Sequence, residues 1–147
     1  MDWVERARRA SASASVRLVA NNTVIGLGSG GTVSLVINEL GERVRKEGLN
    51  VSVVPTSVQT ETLCTKSGLK FTNLVEHSEL DLAIDGADQV ELRTLNLIKG
   101  AGGALTREKI VACASKKFAI VVDEKKVVRQ GLRGKVPVEV VPFGIGF

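Results

Sequence analysis

Between Asp85 and Lys109 the chain reads D-G-A-D-Q-V-E-L-R-T-L-N-L-I-K-G-A-G-G-A-L-T-R-E-K, which places two aspartates, a lysine, a glutamate and a cluster of glycines in one short stretch. Carboxylates are the groups of proton transfer, and a lysine beside them offers positive charge where an oxygen becomes negative. The stretch therefore reads as an active site. The apolar run Leu82-Ala83-Ile84 stops at Asp85, so the acids sit where a strand ends and the backbone turns. In open α/β sheets that edge is where ligands bind. Blander readings also apply. Asp85 and Asp88 could cap a turn, since Asp-Gly is a common turn pair, and Glu108 could be an ordinary first-turn acid favoured by the helix dipole. Against the first stands Lys99-Gly100-Ala101-Gly102-Gly103, because such a glycine run serves little purpose unless backbone must approach something closely.

A second glycine run, Gly26-Leu27-Gly28-Ser29-Gly30-Gly31, lies between an apolar strand and a helical pattern, the context of a dinucleotide fingerprint. The acid that should follow the next strand is missing, since Val54-Pro55-Thr56-Ser57 stands there. A Walker loop fails as well, because no lysine follows the glycines. What remains is a phosphate cradle of backbone N–H groups, the hydroxyls of Ser29 and Thr32, and a positive helix end. A dinucleotide site and a purely structural tight turn are the alternatives.

These segments need elements to position them. Residues 2 to 20 carry Val4, Ala7, Ala14 and Leu18 at helical spacing and predict an amphipathic helix. Thr23 to Leu27 predicts a strand, Val33 to Leu40 a helix ending near Gly48, and Asn50 to Val54 a second strand. Thr56 with Gln59 forms a capping box for a helix through Thr65. Leu80 to Ile84 is a strand, Gly103 to Ser115 a helix, Phe118 to Val122 a further strand, and Val138 to Val141 one more. Strands alternating with helices predict one α/β domain over residues 1–147, a three-layer, mostly parallel Rossmann-like sheet with helices on both faces.

Composition narrows the class. The 147 residues are 44% hydrophobic, 24% charged and only 3% aromatic, enough for a core without disulfides. The net charge of +4 is spread among acids and lacks aromatics for base stacking, which favours a small anionic ligand over nucleic acid. Cys64 and Cys113 have no metal-ligand spacing and only one histidine accompanies them, so buried, reduced, cytosolic thiols are expected and no metal. The charged start M-D-W-V-E-R-A-R-R-A is unlike a secretory signal, and no window approaches the roughly 20 apolar residues of a membrane span, which predicts a cytoplasmic protein. His77 reads as a surface residue, Trp3 as an anchor for the first helix, and Lys116, Lys117 and Lys125 as solvated charge.

Four segments in order, G-L-G-S-G-G-T at 26–32, D-G-A-D at 85–88, I-K-G-A-G-G-A-L-T-R-E-K at 98–109 and V-P-V-E-V-V-P at 136–142, resemble the type A ribose-5-phosphate isomerases. The resemblance runs from the first helix to the last residue, and the Lys-Gly to Glu-Lys block is highly specific. It implies interconversion of ribose 5-phosphate and ribulose 5-phosphate in the pentose phosphate pathway, without metal or cofactor. By position it makes Glu108 the catalytic base. It makes Asp85, Gly86, Ala87 and Asp88, with Lys99, Gly100, Ala101 and Gly102, the sugar-binding loops. Ser29, Gly30, Gly31 and Thr32 become the phosphate-side loop, and Lys126 a further substrate contact.

The residue types suit that reaction on their own chemistry. Glu108 would move a proton between adjacent carbons, Lys99 would meet the enediolate oxygen, and Asp85 or Asp88 would open the sugar ring. Gly31 stands where the family commonly has a serine, and Arg8 where a lysine is frequent. The family also runs roughly half as long again, adding a small α+β domain and a final strand that returns to the sheet. The expectation is thus a shortened member of a homodimeric or homotetrameric family, with a non-catalytic sugar-phosphate-binding module or truncated remnant as the alternative.

Overall fold

The computed structural model of the chain describes residues 2–146. In chain order the first half holds α1 (Trp3–Val16), β1 (Thr23–Leu27), α2 (Gly31–Glu47), β2 (Val51–Pro55), α3 (Val58–Lys66), β3 (Lys70–Phe71) and β4 (Leu82–Asp85). The second half adds β5 (Gln89–Glu91), β6 (Leu97–Ile98), α4 (Leu105–Cys113), β7 (Phe118–Ile120) and β8 (Val127–Val128).

Five strands pair wholly in parallel in the order β3-β2-β1-β4-β7. The uncharged runs Val24-Ile25, Val53-Val54 and Leu82-Ala83-Ile84 form its centre, as a sheet covered on both faces requires. Side chains alternate along each strand. Ile25, Leu27, Val53, Leu82 and Ile84 face the helices α1, α2 and α3, packing on Ala12, Val16, Val33, Val36, Ile37, Leu40 and Cys64. Val54 and Ala83 face the other way, toward Val111 of α4. The result is the three-layer Rossmann-like arrangement predicted above. The strand order reverses between β1 and β4, and this switch point opens a crevice at their carboxyl ends where an α/β sheet binds ligands.

A second sheet of three short strands, β6-β5-β8, stands beside that crevice. β5 pairs antiparallel with β6 and parallel with β8. Strands of two or three residues leave almost no period in the sequence, and neither they nor the two-residue β3 are predicted from it.

Local packing shifts several expected boundaries. α1 ends at Val16 rather than near residue 20, because the N–H groups of Leu18 and Val19 turn back to Ser15 and Val16 and bury Val19 in the core. α2 closes on Gly48 in the left-handed conformation, with Arg45 and Lys46 in its last turn where the dipole favours cations. The cap of α3 is Ser57 rather than Thr56: the Ser57 hydroxyl accepts the Thr60 N–H at 3.1 Å. Thr56 is instead 1% exposed with an unpartnered hydroxyl, its backbone N–H donating to Leu27.

Val138 to Val141 form no strand. No described strand pairs with them, they lie exposed, and Glu139 instead accepts the Thr106 N–H at the start of α4 at 2.6 Å. Phe147 lies outside the described residues. Cys64 is buried as expected, which pushes its thiol up to about 11 with help from Glu61. Cys113 is exposed, because α4 turns Val111 and Ala114 to the sheet and carries Cys113 on its outer side. No described helix is long and apolar enough to cross a membrane.

Exchanging the roles of two neighbouring hydroxyls has opposite expected consequences. Ser57→Ala should lower stability by about 1 kcal/mol through loss of a cap. Thr56→Val removes an unpaired buried hydroxyl at constant shape and should raise it by about 1 kcal/mol. Urea denaturation of both variants checks the pair; a loss in Thr56→Val would return the cap to Thr56.

Candidate active site

Two loops meet at the switch point because glycine lets them. The Gly28 N–H donates to the Ile84 carbonyl at 2.9 Å, bringing the end of β1 against the end of β4. A Cβ on Gly28 would lie 1.8 Å from Oδ1 of Asp85, so that space belongs to the aspartate carboxylate. Beyond it Gly30 precedes α2 with no side-chain cap, leaving the first-turn N–H groups of Gly31, Thr32 and Val33 free for an anion.

Three charged side chains converge in this crevice. Asp85 is 3% exposed at the end of β4, and Glu108 is 5% exposed in the first turn of α4. Lys99, the residue after β6, lies between them: Nζ stands 2.9 Å from Asp85 Oδ2 and also donates to Glu108 Oε2. The second glutamate oxygen, Oε1, accepts from the Ser29 hydroxyl at 2.5 Å. The Ser29 proton is thus directed at the glutamate, whereas the sequence suggests a hydroxyl offered to phosphate.

Burial sets the charges in this cluster. It pushes the Asp85 carboxyl up, and the nearby Glu108 adds to the rise, while Lys99 and the Gly86 N–H hold it back. For Lys99, burial alone would lower the ammonium, but the hydrogen bond to Glu108 and the pull of Asp85 outweigh it and hold it above its usual range. A carboxylate fixed by two donors beside a retained ammonium is equipped to move a proton and to stabilise the negative charge that results.

The remaining loop is folded around Asp88. Its Oδ2 accepts the Ala101 N–H at 3.2 Å, and its own N–H donates to the carbonyl of Ile98. Gly100 takes φ +105, and a Cβ there would sit 2.8 Å from Leu105, so the turn into α4 requires glycine. On the opposite wall Lys126 Nζ donates to the Ala87 carbonyl at 2.9 Å. Arg8 reaches over from α1, its Nε donating to Asp123 at 3.3 Å.

One cavity of about 280 Å³ gathers all of them. Ser29 to Thr32, Asp85 to Asp88, Lys99 to Gly102, Glu108, Arg8 and Lys126 all line it. Val33 and Gln59 also line it, although the sequence pattern assigns Gln59 to a helix cap. A neighbouring groove of about 450 Å³ between α2 and α3 is larger, but no buried carboxylate lines it. Asp123 went unnoticed in the sequence, although the signal that marks Asp85 was there: an acid closing an apolar strand, here after Phe118 to Val122. Trp3, expected to anchor α1 by packing, is 40% exposed and lies under the ammonium of Lys125, which is itself exposed as expected.

The raised Asp85 carboxyl has a definite sign in stability. Its folded pKa exceeds the unfolded 3.8, so the stabilisation it confers is complete below pH 3.8 and is lost as pH rises through the folded value. The ¹³C-carboxyl resonance of Asp85 should titrate above 3.8, and higher again in Lys99→Met, which removes the cation that lowers it. A wild-type midpoint at or below the ordinary value would contradict this account of the cluster.

Comparison with known proteins points to one family. Residues 52–147 match the model of the ribose 5-phosphate isomerase A (phosphoriboisomerase A) family. The ribose-5-phosphate isomerase A of Methanosarcina acetivorans is 50% identical over 136 residues, which are 92% of this chain and 57% of that protein. That of Archaeoglobus fulgidus is 49% identical over 137 residues, 93% of this chain and 60% of the relative. The solved ribose 5-phosphate isomerase A of Methanocaldococcus jannaschii superposes with a TM-score of 0.82 at 44% identity, over 85% of this chain and 55% of that one. A D-ribose-5-phosphate isomerase in complex with phospho-erythronic acid gives 0.83 at 37% identity, over 87% and 56%. The chain therefore spans somewhat more than half the length of these relatives. With a family match over residues 52–147 and a shared fold at a TM-score of 0.82, the chain belongs to the ribose 5-phosphate isomerase A family.

Proposed function

We propose that this chain interconverts ribose 5-phosphate and ribulose 5-phosphate through an enediolate, with Glu108 as the base. One observation carries the reading: a buried glutamate, held by Ser29 and Lys99, lines the same cavity as the free amino terminus of α2. Such a helix end suits a phosphate, and a sugar anchored there would lie along the Asp85–Lys99–Glu108 cluster. The relatives' names support the substrate, as does the phospho-erythronic acid complex of one of them. That ligand is a four-carbon phosphate ending in a carboxylate, close in charge to an enediolate.

The steps balance within the sugar. Glu108 takes the proton from C2 of the open aldose, and the electrons form a C1–C2 double bond while the carbonyl oxygen becomes negative. Lys99 meets that oxygen. Glu108 then returns its proton to C1 while the C2 hydroxyl proton passes to the C1 oxygen, which gives the ketose. Ring opening must come first. We assign it to Asp85, because burial favours the protonated form there and so lets it shuttle the hydroxyl proton. Asp88 is occupied with the Ala101 N–H and holds the loop closed over the sugar. The arrangement needs neither cofactor nor metal to complete this cycle.

We place the enzyme in the cytoplasm as a homodimer or homotetramer. Exposed Phe71 and Ile110, which share one surface groove, support association.

Glu108→Gln should reduce kcat by roughly 10² to 10⁴ and leave ribose 5-phosphate binding within a few-fold. Lys99→Met should cost kcat about 10² to 10³, the scale of one lost oxyanion partner. In deuterated water the wild type should place deuterium on the transferred carbon. Unchanged turnover in Glu108→Gln would refute the assignment of the base; phosphate binding with no turnover in the wild type would leave a sugar-phosphate-binding module.

A further inference from the structure

Asp123 has no part in the chemistry above and does not line the cavity, yet its carboxylate is 3% exposed. Both oxygens are engaged. Oδ2 accepts from Nε of Arg8 at 3.3 Å, and Oδ1 accepts from the backbone N–H of Lys125 at 3.1 Å. The second bond caps the single 3₁₀ turn Glu124–Lys126, so it sets the direction in which Lys126 leaves the backbone. Lys126 then reaches the Ala87 carbonyl, and β8 begins at the next residue. A parallel tie runs beside this one, for Lys125 Nζ lies 4.8 Å from the ring centroid of Trp3, within cation–π range. Trp3 is the first residue of α1 and Arg8 lies on the same helix.

We propose that Asp123 is a positioning residue for the phosphate end of the cavity: it clasps α1 to the turn after β7 so that Arg8 and Lys126 present their charges to one phosphate group. The proposal rests on the sugar-phosphate reading given above. Arg8 commits only Nε to the aspartate, which leaves both terminal nitrogens of its planar fork for phosphate oxygens. Lys126 commits one of three protons to Ala87 and keeps two. Long basic side chains lose rotamer freedom when they bind, and side chains held beforehand lose less. A buried anion behind two cations also offsets the repulsion that would drive them apart while the site is empty. The clasp explains why α1, which lends the cavity Arg8 alone, belongs to the site.

Inorganic phosphate is the probe, titrated by calorimetry into the wild type and Asp123→Asn, each with and without the pair Arg8→Met and Lys126→Met. Asp123→Asn should weaken phosphate binding by about tenfold or more when Arg8 and Lys126 are present. With both replaced it should add less than about twofold, because groups that act through one another are not additive. For ribose 5-phosphate, KM should rise in step while kcat stays within about threefold. Unchanged phosphate affinity in Asp123→Asn overturns the proposal, and so does a full loss that persists in the background lacking both cations. Should Asp123→Asn not fold, the wild type decides by NMR: the Lys125 amide must shift with phosphate in step with that of Thr32, and a stationary Lys125 amide overturns the proposal. A wild type that binds no phosphate fails the sugar-phosphate reading itself. A chain that binds phosphate through Asp123 without turnover fails the isomerase reading alone.

Discussion

The crevice is organised around one partly buried ammonium. Asp85 and Glu108 both lie away from water, and two carboxylates brought together in such a place repel each other and lose their hydration. Lys99 answers both, bonding to each across the gap between β4 and α4. Without Lys99 the two buried carboxylates would face each other with no counter-charge between them. The surrounding backbone accommodates this triad: Gly28 has no side chain because the Asp85 carboxylate fills that volume, and Gly100 turns the chain sharply so that Lys99 and Glu108 approach from either end of one loop.

The two sheets divide the labour. The large parallel sheet supplies a switch point between β1 and β4, and with it the meeting of a helix amino terminus and an acid-bearing strand end. The small sheet aligns what the large one cannot. Asp88 precedes β5, Lys99 follows β6, and Lys126 precedes β8, so three short strands hold three cavity residues in register. The crevice is thereby closed on the side where the large sheet ends.

Much of this was legible beforehand because its causes are local. An apolar run that ends in Asp-Gly marks a strand edge, a glycine run before a helix marks an anion cradle, and β-α alternation leads to a parallel sheet. The misreadings share a different cause. Thr56 and Ser57 are adjacent hydroxyls, and only the path of the chain after β2 decides which caps and which is buried. The valines at 138 to 141 have strand composition, but a strand also needs a partner, and none of the described residues provides one. The contact of Trp3 with Lys125 and that of Asp123 with Arg8 leave no local signal, because the partners lie more than a hundred positions apart along the chain.

By itself, then, the sequence determined the types of group available for chemistry and the sheet that would carry them, since residue type and period act over a few neighbouring positions. Tertiary structure decided which atom faces which. It turned the Ser29 hydroxyl toward Glu108, set Lys99 between two acids, and buried Asp123 behind Arg8. Hydrogen bonds and ion pairs of this kind depend on distances of a few ångströms between segments far apart in the chain, and those distances exist only once the sheet has closed its core.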